Sequence, residues 1–242
     1  MLPIGDRIPT RTVPFVNYAL LAANVAAFVW QYLVILAGGE AWLVPGYGLV
    51  PSRLLYDPPG EAFTILTSMF MHGGLAHLGG NMLFLYIFGD NVEDVVGHAR
   101  YLGFYLLCGV GAAFAQVLTD PSSTVPMVGA SGAIAGVLGA YMVRYPMAPI
   151  TILVPPPFFL FLGFFIEAPA WLVAGLWFVY NLVSGVGALG VQGGGVAFFA
   201  HVGGFVTGLL LIRPLLARDR RELGRWSGWR PPGAPLRGRR RR

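Results

Sequence analysis

Two residues that could form a hydrolytic pair, Ser131 and His201, each stand among glycines in an apolar segment. Ser131 lies in Gly129-Ala-Ser-Gly132, and His201 lies in Ala200-His-Val-Gly-Gly204. A serine hydroxyl becomes a nucleophile when a base such as histidine takes its proton. The glycines permit close backbone approach, and the free N–H groups at a helix start could stabilise an oxyanion. The chemistry these motifs suggest is acyl transfer by a serine.

His77 and Asn81 could supply further hydrogen-bond donors to the same reaction. Because the two residues are four positions apart, their side chains share one face of a helix. Both side chains can donate hydrogen bonds, as an oxyanion hole requires. Taken alone, each of these motifs also fits a packing role, since small residues and polar side chains join helices within lipid.

The composition indicates that lipid surrounds the elements that must position these residues. Of the 242 residues, 56% are hydrophobic and 11% are charged, and the mean hydropathy is +0.66. An ordinary soluble domain has about 25% charged residues. Six apolar segments predict six transmembrane helices, at residues 15–36, 70–89, 101–118, 128–143, 168–186 and 196–212. The predicted fold class is an all-α polytopic membrane protein with a six-helix bundle over residues 15–216.

The depth of the polar residues favours six crossings over seven. With six, the second, fourth and sixth helices run in one direction, and His77, Ser131 and His201 lie roughly 5–10 Å below the outer ends. Residues 150–166 are apolar, but Pro155-Pro156-Pro157 interrupts them, and proline is unfavourable inside a helix. We therefore predict a re-entrant or interfacial excursion on the cytoplasmic side. A seventh crossing would move His201 to the opposite leaflet.

The arginines predict the orientation of the chain. All 16 basic residues are arginine, and eleven of them lie from Arg213 onwards. Cytoplasmic loops collect positive charge, so both termini are predicted to be cytoplasmic, in a bacterial cytoplasmic membrane. Residues 1–14 form the N-terminal cytoplasmic segment, and residues 217–242 form an Arg/Pro-rich tail predicted to be disordered. Basic charge that follows an apolar segment favours contact with anionic membrane lipids over binding to nucleic acid.

The sequence predicts neither a cofactor nor a metal site. A single cysteine, Cys108, can form no internal disulfide or cysteine-rich metal site. His72, His77 and His201 could in principle be three ligands, but there is no H-E-x-x-H motif and no carboxylate at their depth. The same lack of a carboxylate favours a Ser–His dyad over a triad, and we assign His72 a structural role in anchoring a loop.

Taken together, the motifs resemble those of the rhomboid intramembrane serine proteases. The resemblance runs from the second to the sixth predicted helix, in the order of that family. Its pieces are Thr67-Ser-Met-Phe-Met-His-Gly-Gly74, His77-Leu-Gly-Gly-Asn81, Gly129-Ala-Ser-Gly-Ala-Ile-Ala-Gly136 and Ala200-His-Val-Gly-Gly-Phe-Val-Thr-Gly208.

The resemblance implies a six-helix bundle with a water-accessible cavity that opens outward. It implies that Ser131 attacks, that His201 is the base, and that His77, Asn81 and the backbone of Ser131 hold the oxyanion. It also implies substrates that are single-span membrane proteins, cut near the outer end of their helix, with the fifth helix and the loop before the sixth as gate and cap. Gly129, Gly132, Gly204 and Gly208 are the glycines of the family motifs.

Two positions depart from the family pattern, and two other functions remain as alternatives. Glu61-Ala-Phe63-Thr64 stands where the family often has a Trp-Arg pair, and Ala135 stands where some members carry an aromatic residue beneath the histidine. One alternative is a non-catalytic relative that binds membrane proteins, but such relatives lack the serine or the histidine. The other is a small-solute transporter, which the absence of a sequence repeat disfavours.

Overall fold

The computed structural model describes residues 2–154, 164–189 and 196–216. Within these residues the fold is predominantly helical, and six helices of 14 to 22 residues dominate it. They are α1 (Phe15–Leu36), α6 (Leu75–Val96), α7 (His98–Thr119), α8 (Ser131–Arg144), α9 (Ala170–Gly187) and α10 (Phe198–Leu216). The predicted tail at 217–242 lies outside the described residues.

Four of these helices, α1, α7, α9 and α10, are long and apolar enough to cross a membrane. Helix α6 carries Asp90, Glu93 and Asp94 near its C-terminal end, and α8 has only 14 residues. The chain is therefore a multi-pass helical membrane protein, and crossings by α6 and α8 stay predictions. A short helix such as α8 can be accommodated where the bilayer thins or where the helix borders a cavity.

The boundaries of α1 agree with the predicted segment 15–36, whereas the predicted segment 70–89 is displaced. Residues 71–74 form a loop, and α6 begins only at Leu75, after the glycine pair Gly73-Gly74. Gly74 has a φ of 157°, which residues with a side chain rarely adopt. The helix then continues to Val96, and near its end Glu93 accepts from the N–H of Asn17 and Asp94 accepts from that of Thr12.

A three-stranded sheet corrects the expectation of an all-helical chain. Strands β1 (Leu2–Asp6), β2 (Pro149–Val154) and β3 (Phe164–Pro169) pair antiparallel in the order β1-β2-β3. The described ends of the predicted 150–166 excursion are thus strands and not parts of a seventh helix. Its three prolines lie outside the described residues. Strand β2 is rich in β-branched residues, which favour extended backbone. The interpretation of residues 150–166 rested on their apolar character and their prolines and did not use this signal.

The first loop holds a series of short helices that precede α6. They are α2 (Glu40–Tyr47), α3 (Pro51–Tyr56), α4 (Pro58–Glu61) and α5 (Thr64–Thr67), followed by a 3-10 turn at Ser68–Phe70. Arg53 Nε donates to Glu61 Oε1 at 2.9 Å, and Arg53 Nη1 donates to the carbonyl oxygen of Pro45 at 2.6 Å. The ion pair joins α3 to α4, and the second hydrogen bond joins α3 to α2. Glu61 is the first residue of the stretch that departs from the family's Trp-Arg pattern.

The C-terminal end of α6 binds both the N-terminal segment and the first turn of α1. Glu93 accepts hydrogen bonds from the backbone N–H groups of Val16, at 3.0 Å, and Asn17, at 2.7 Å. These are first-turn donors of α1 that have no partner within the helix. Asp94 accepts from Arg11 Nε at 3.0 Å, and Arg7 forms an ion pair with Glu167 on β3. Acidic residues of α6 and β3 therefore pair with arginines of the segment that is predicted to be cytoplasmic.

Helix α10 lies against α8 at glycine contacts. A Cβ atom on Gly204 would lie 1.9 Å from the carbonyl oxygen of Gly132, and one on Gly208 would lie 2.1 Å from that of Gly136. No side chain fits at either distance, so the two helices approach with backbone against backbone. This close approach determines how far the side chains of α8 and α10 lie from each other.

Candidate active site

A cavity of about 580 Å³ lies between α6, α8, α9 and α10. All four predicted polar residues line it: His77, Asn81, Ser131 and His201. Trp177 of α9 lines it as well. Residues from four separate helices therefore line one cavity. A concave space with a few polar side chains among apolar ones is the composition expected of a reaction site.

Ser131 is the first residue of α8, and it follows a turn at Gly129. Gly129 has a φ of 127°, in the region that side-chain-bearing residues rarely adopt. The N–H of Gly129 donates to the carbonyl oxygen of Ser68 at 2.8 Å, which fixes the turn against the first loop. Because Ser131 opens the helix, backbone N–H groups next to its hydroxyl have no partner within the helix.

Ser131 and His201 are hydrogen-bonded to each other. The distance from Ser131 Oγ to His201 Nε2 is 2.8 Å, which is within the normal range for such a bond. His201 lies in the first turn of α10, one turn before Gly204, and the glycine contacts bring it beside the start of α8. This is the arrangement in which a histidine can take the proton of a serine nucleophile.

His77 presents a ring N–H to the turn that precedes Ser131. Its Nδ1 accepts a hydrogen bond from the backbone N–H of Gly73 at 3.2 Å. A neutral imidazole with an accepting Nδ1 carries its proton on Nε2. A Cβ atom on Gly129 would lie 2.8 Å from this Nε2 and 3.5 Å from Ser131 Oγ. An atom at that position would therefore lie next to both the Nε2–H of His77 and the hydroxyl of Ser131.

Asn81 lines the same cavity, and its side chain carries a buried donor that has no partner among the described residues. The side chain is only 7% exposed, and its Nδ2 has no hydrogen bond. A buried donor without a partner costs free energy, so such a group calls for an explanation. A ligand oxygen in the cavity would supply the missing acceptor.

Asn181 and Trp177, both on α9, contact His201 and were missed by the sequence analysis. The distance from His201 Nδ1 to Asn181 Oδ1 is 2.6 Å, and the rings of Trp177 and His201 lie 5.4 Å apart between centroids. Trp177 therefore gives His201 an aromatic contact from α9, which Ala135 cannot supply from α8. A polar residue within the apolar segment 168–186 was the available signal, because such residues are costly in lipid.

His72 lies in the loop before α6, where it connects this loop to α1. Its backbone N–H donates to Gln31 Oε1 at 3.1 Å, and its carbonyl oxygen accepts from Gln31 Nε2 at 2.7 Å. The side chain is fully buried. These contacts fit the anchoring role assigned from the sequence. In the parts of the chain that the structure describes, no three His, Cys, Asp or Glu side chains cluster as metal ligands.

Comparison with known proteins places the site within a matched family domain. The family model described as Rhomboid domain matches residues 59–218. Rhomboid protein 1, mitochondrial, of Saccharomyces cerevisiae is 27% identical over 198 residues, which cover 80% of this chain and 51% of the yeast protein. Rhomboid protease GluP of Bacillus subtilis is 33% identical over 131 residues, covering 53% of this chain and 24% of GluP.

A third relative, Presenilin-associated rhomboid-like protein, mitochondrial, of Bos taurus, is 28% identical over 144 residues. The match covers 57% of this chain and 35% of the bovine protein. The chain therefore spans about half or less of the length of these three relatives. All the cavity residues described above fall within the matched range.

Proposed function

Because this chain belongs to the rhomboid family, we propose that it is an intramembrane serine protease that cleaves single-span membrane proteins. The observation that carries the proposal is the 2.8 Å hydrogen bond between Ser131 Oγ and His201 Nε2 inside the cavity. Relatives named as proteases, such as GluP, support the same activity. No metal or other cofactor is needed for this chemistry.

The reaction proceeds through an acyl-enzyme. His201 Nε2 takes the proton from Ser131 as its Oγ attacks the carbonyl carbon of the scissile peptide bond. The C–N bond then breaks, and His201 gives this proton to the leaving amine. A water molecule, deprotonated by His201, attacks the ester carbonyl, and Ser131 leaves with the proton returned. Each step uses only groups of this chain, the substrate and water.

The negative charge that develops on the substrate oxygen is stabilised from three directions. The backbone N–H of Ser131 lies at the start of α8, where it needs no partner within the helix. His77 Nε2–H lies beside the Gly129 turn, and Asn81, whose Nδ2 has no partner among the described residues, lines the same cavity. Fixed donors of this kind are stronger in a dry site than in water.

The proposed substrate class follows from the location of the cavity among membrane helices. A substrate helix keeps its peptide groups in hydrogen bonds, so it must unwind before Ser131 can reach a carbonyl carbon. Small or helix-breaking residues near the outer end of the substrate helix ease this unwinding. Non-catalytic binding and solute transport need no activated serine, and no contact of the described residues favours either.

A fluorophosphonate probe tests the proposal directly. The probe reacts with activated serines, so we expect it to label the purified protein and to modify Ser131, as located by peptide mass spectrometry. Heat-denatured protein is the control, since the hydrogen bond to His201 exists only in the fold. A folded protein that takes up no probe, or takes it up at another serine, contradicts the assignment.

The six-span topology with cytoplasmic termini, in a bacterial cytoplasmic membrane, belongs to the same proposal. Both a mitochondrial and a bacterial relative match this chain, so the matches do not favour one membrane or orientation. The proposed orientation therefore rests on the distribution of arginines. Six spans require α8 to cross the bilayer although it has 14 residues. The loop before it would face outward and the loop after it inward.

Two cysteine variants on either side of α8 test this crossing. Ser122 and Met147 are both exposed, while the native Cys108 is buried. We expect Ser122→Cys to react with a membrane-impermeant maleimide on intact cells, and Met147→Cys to react only after permeabilisation. The unmodified chain, with Cys108 alone, is the control for background labelling. Labelling of both variants on intact cells would show that α8 does not cross.

A further inference from the structure

We propose that Asn181 is a positioning residue that holds His201 in the tautomer required for taking the proton of Ser131. The site then works as a Ser–His–Asn triad and not as the two-residue dyad that the sequence predicts. The inference rests on the proposed function, because it assigns a role within that same reaction. It is carried by the hydrogen bonds that converge on His201 from α9.

The amide of Asn181 has a fixed orientation. Its side chain is 2% exposed, and its Nδ2 donates to the carbonyl oxygen of Trp177, one turn earlier on α9, at 2.8 Å. This bond turns Oδ1 towards His201 Nδ1, 2.6 Å away. An amide oxygen only accepts hydrogen bonds, so Nδ1 must carry the proton.

The tautomer set by Asn181 is the one that the reaction requires. A neutral imidazole with its proton on Nδ1 has a free lone pair on Nε2. That lone pair faces Ser131 Oγ at 2.8 Å. The opposite tautomer would place an N–H against the serine hydroxyl, where it could take no proton. Asn181 thus selects the reactive form without adding a charge to an apolar part of the protein.

Trp177 adds a second constraint on the same ring. Its side chain packs on the imidazole at an interplanar angle of 40°, and its carbonyl oxygen is the group that orients Asn181. One turn of α9 therefore controls both the plane and the tautomer of His201. A role for Asn181 in helix packing alone would explain its burial but not the direction of its amide oxygen.

The test compares Asn181→Leu with the unmodified protein and with Asn24→Leu. Leucine has a similar shape to asparagine but offers no acceptor. We expect Asn181→Leu to lower kcat on the order of 10²-fold, with KM nearly unchanged, because a misoriented base is costly. Nitrogen-15 spectra of the histidine rings should show His201 losing its single Nδ1–H tautomer. The His201 signal is assigned by its absence from His201→Ala.

Asn24→Leu is the matched control. Asn24 on α1 is fully buried, and its Nδ2 also donates to the carbonyl oxygen one turn earlier, that of Leu20, at 2.8 Å. It does not line the cavity. We expect this variant to lose thermal stability while kcat and the His201 spectrum stay as in the unmodified protein.

Asn181→Asp adds a pH readout. A carboxylate beside Nδ1 favours the charged imidazolium, so the acid limb of the pH–rate profile should move to higher pH. Among the described residues that line the cavity, His77 on α6 is the other titratable side chain, and it is the same in both proteins. A profile that does not move contradicts the contact between Asn181 and His201.

The outcomes separate this inference from the proposed function. Asn181→Leu with an unchanged kcat, or with an unchanged His201 tautomer, overturns the positioning role while the protease assignment stands. An unmodified protein that neither cleaves a reporter nor reacts with a fluorophosphonate overturns the proposed function. Even then the nitrogen-15 spectrum of the unmodified protein reports whether His201 carries its proton on Nδ1, and a proton on Nε2 overturns the positioning role as well.

Discussion

Ser131→Ala and His201→Ala are each expected to abolish cleavage of a single-span reporter protein, with a fall in kcat of about 10⁶-fold. Ser131→Ala removes the atom that forms the acyl-enzyme. His201→Ala leaves the hydroxyl without the base that lies 2.8 Å from it. Because the two groups act as one unit, the double variant should be no slower than either single variant. The measurement is turnover of the reporter in proteoliposomes, followed by gel electrophoresis.

Matched variants distinguish loss of chemistry from loss of folding. Ser122→Ala changes an exposed serine of the loop before α8, and His98→Ala changes a histidine that pairs with Glu93 at the start of α7. Neither residue lines the cavity, so activity per folded molecule should stay within a few-fold of the unmodified protein. Activity within about tenfold of normal in Ser131→Ala or His201→Ala would falsify the assignment of the nucleophile or of the base.

The second largest effect is expected at the oxyanion donors. His77→Ala and Asn81→Ala should each lower kcat by roughly 10²–10³-fold, the usual cost of removing one such donor. KM should change little, because these donors act mainly on charge that appears in the transition state. Labelling of Ser131 by a fluorophosphonate should slow but persist, since the hydroxyl and His201 remain in place. The measurements are steady-state kinetics and the rate of probe labelling.

Stability provides the decisive comparison for Asn81. Its Nδ2 has no hydrogen-bond partner among the described residues. Asn81→Ala therefore breaks no hydrogen bond made by Nδ2, and we expect the thermal midpoint not to fall for that reason. Asn91, on the same helix, is also buried, but its Nδ2 donates to the carbonyl oxygen of Ile8 at 2.9 Å. Asn91→Ala should therefore destabilise the protein without slowing turnover per folded molecule. Normal kinetics in both His77→Ala and Asn81→Ala would limit that pair to a structural role.

The sequence determined the residues of the site because each is an unusual residue for its surroundings. Serine, histidine and asparagine are costly within apolar segments, and the glycines beside them permit close contact between helices. Helix rise and the predicted number of spans led to the prediction that His77, Ser131 and His201 lie at a common depth, and all three line one cavity. The boundaries of α1 follow from its uninterrupted apolar run in the same way.

Three features were decided only by the tertiary structure. Strands β1 and β2 are distant in sequence, so their pairing could not be read from the local pattern of either. The end of α6 is polar by composition, yet it is fixed by Glu93 binding the first turn of α1 and by Asp94 binding the segment before α1. Asn181, the proposed positioning residue, contacts His201 only because α9 packs against α10 in one particular rotation.

The physical reason is that composition and period report the surroundings of a residue, whereas the rotation and tilt of a helix depend on packing against its neighbours. An apolar helix in lipid has little polar asymmetry from which its buried face can be inferred. The sequence thus determined which side chains must avoid lipid, and the contacts between α8, α9 and α10 decided that Asn181 meets the imidazole and that Ser131 meets its base.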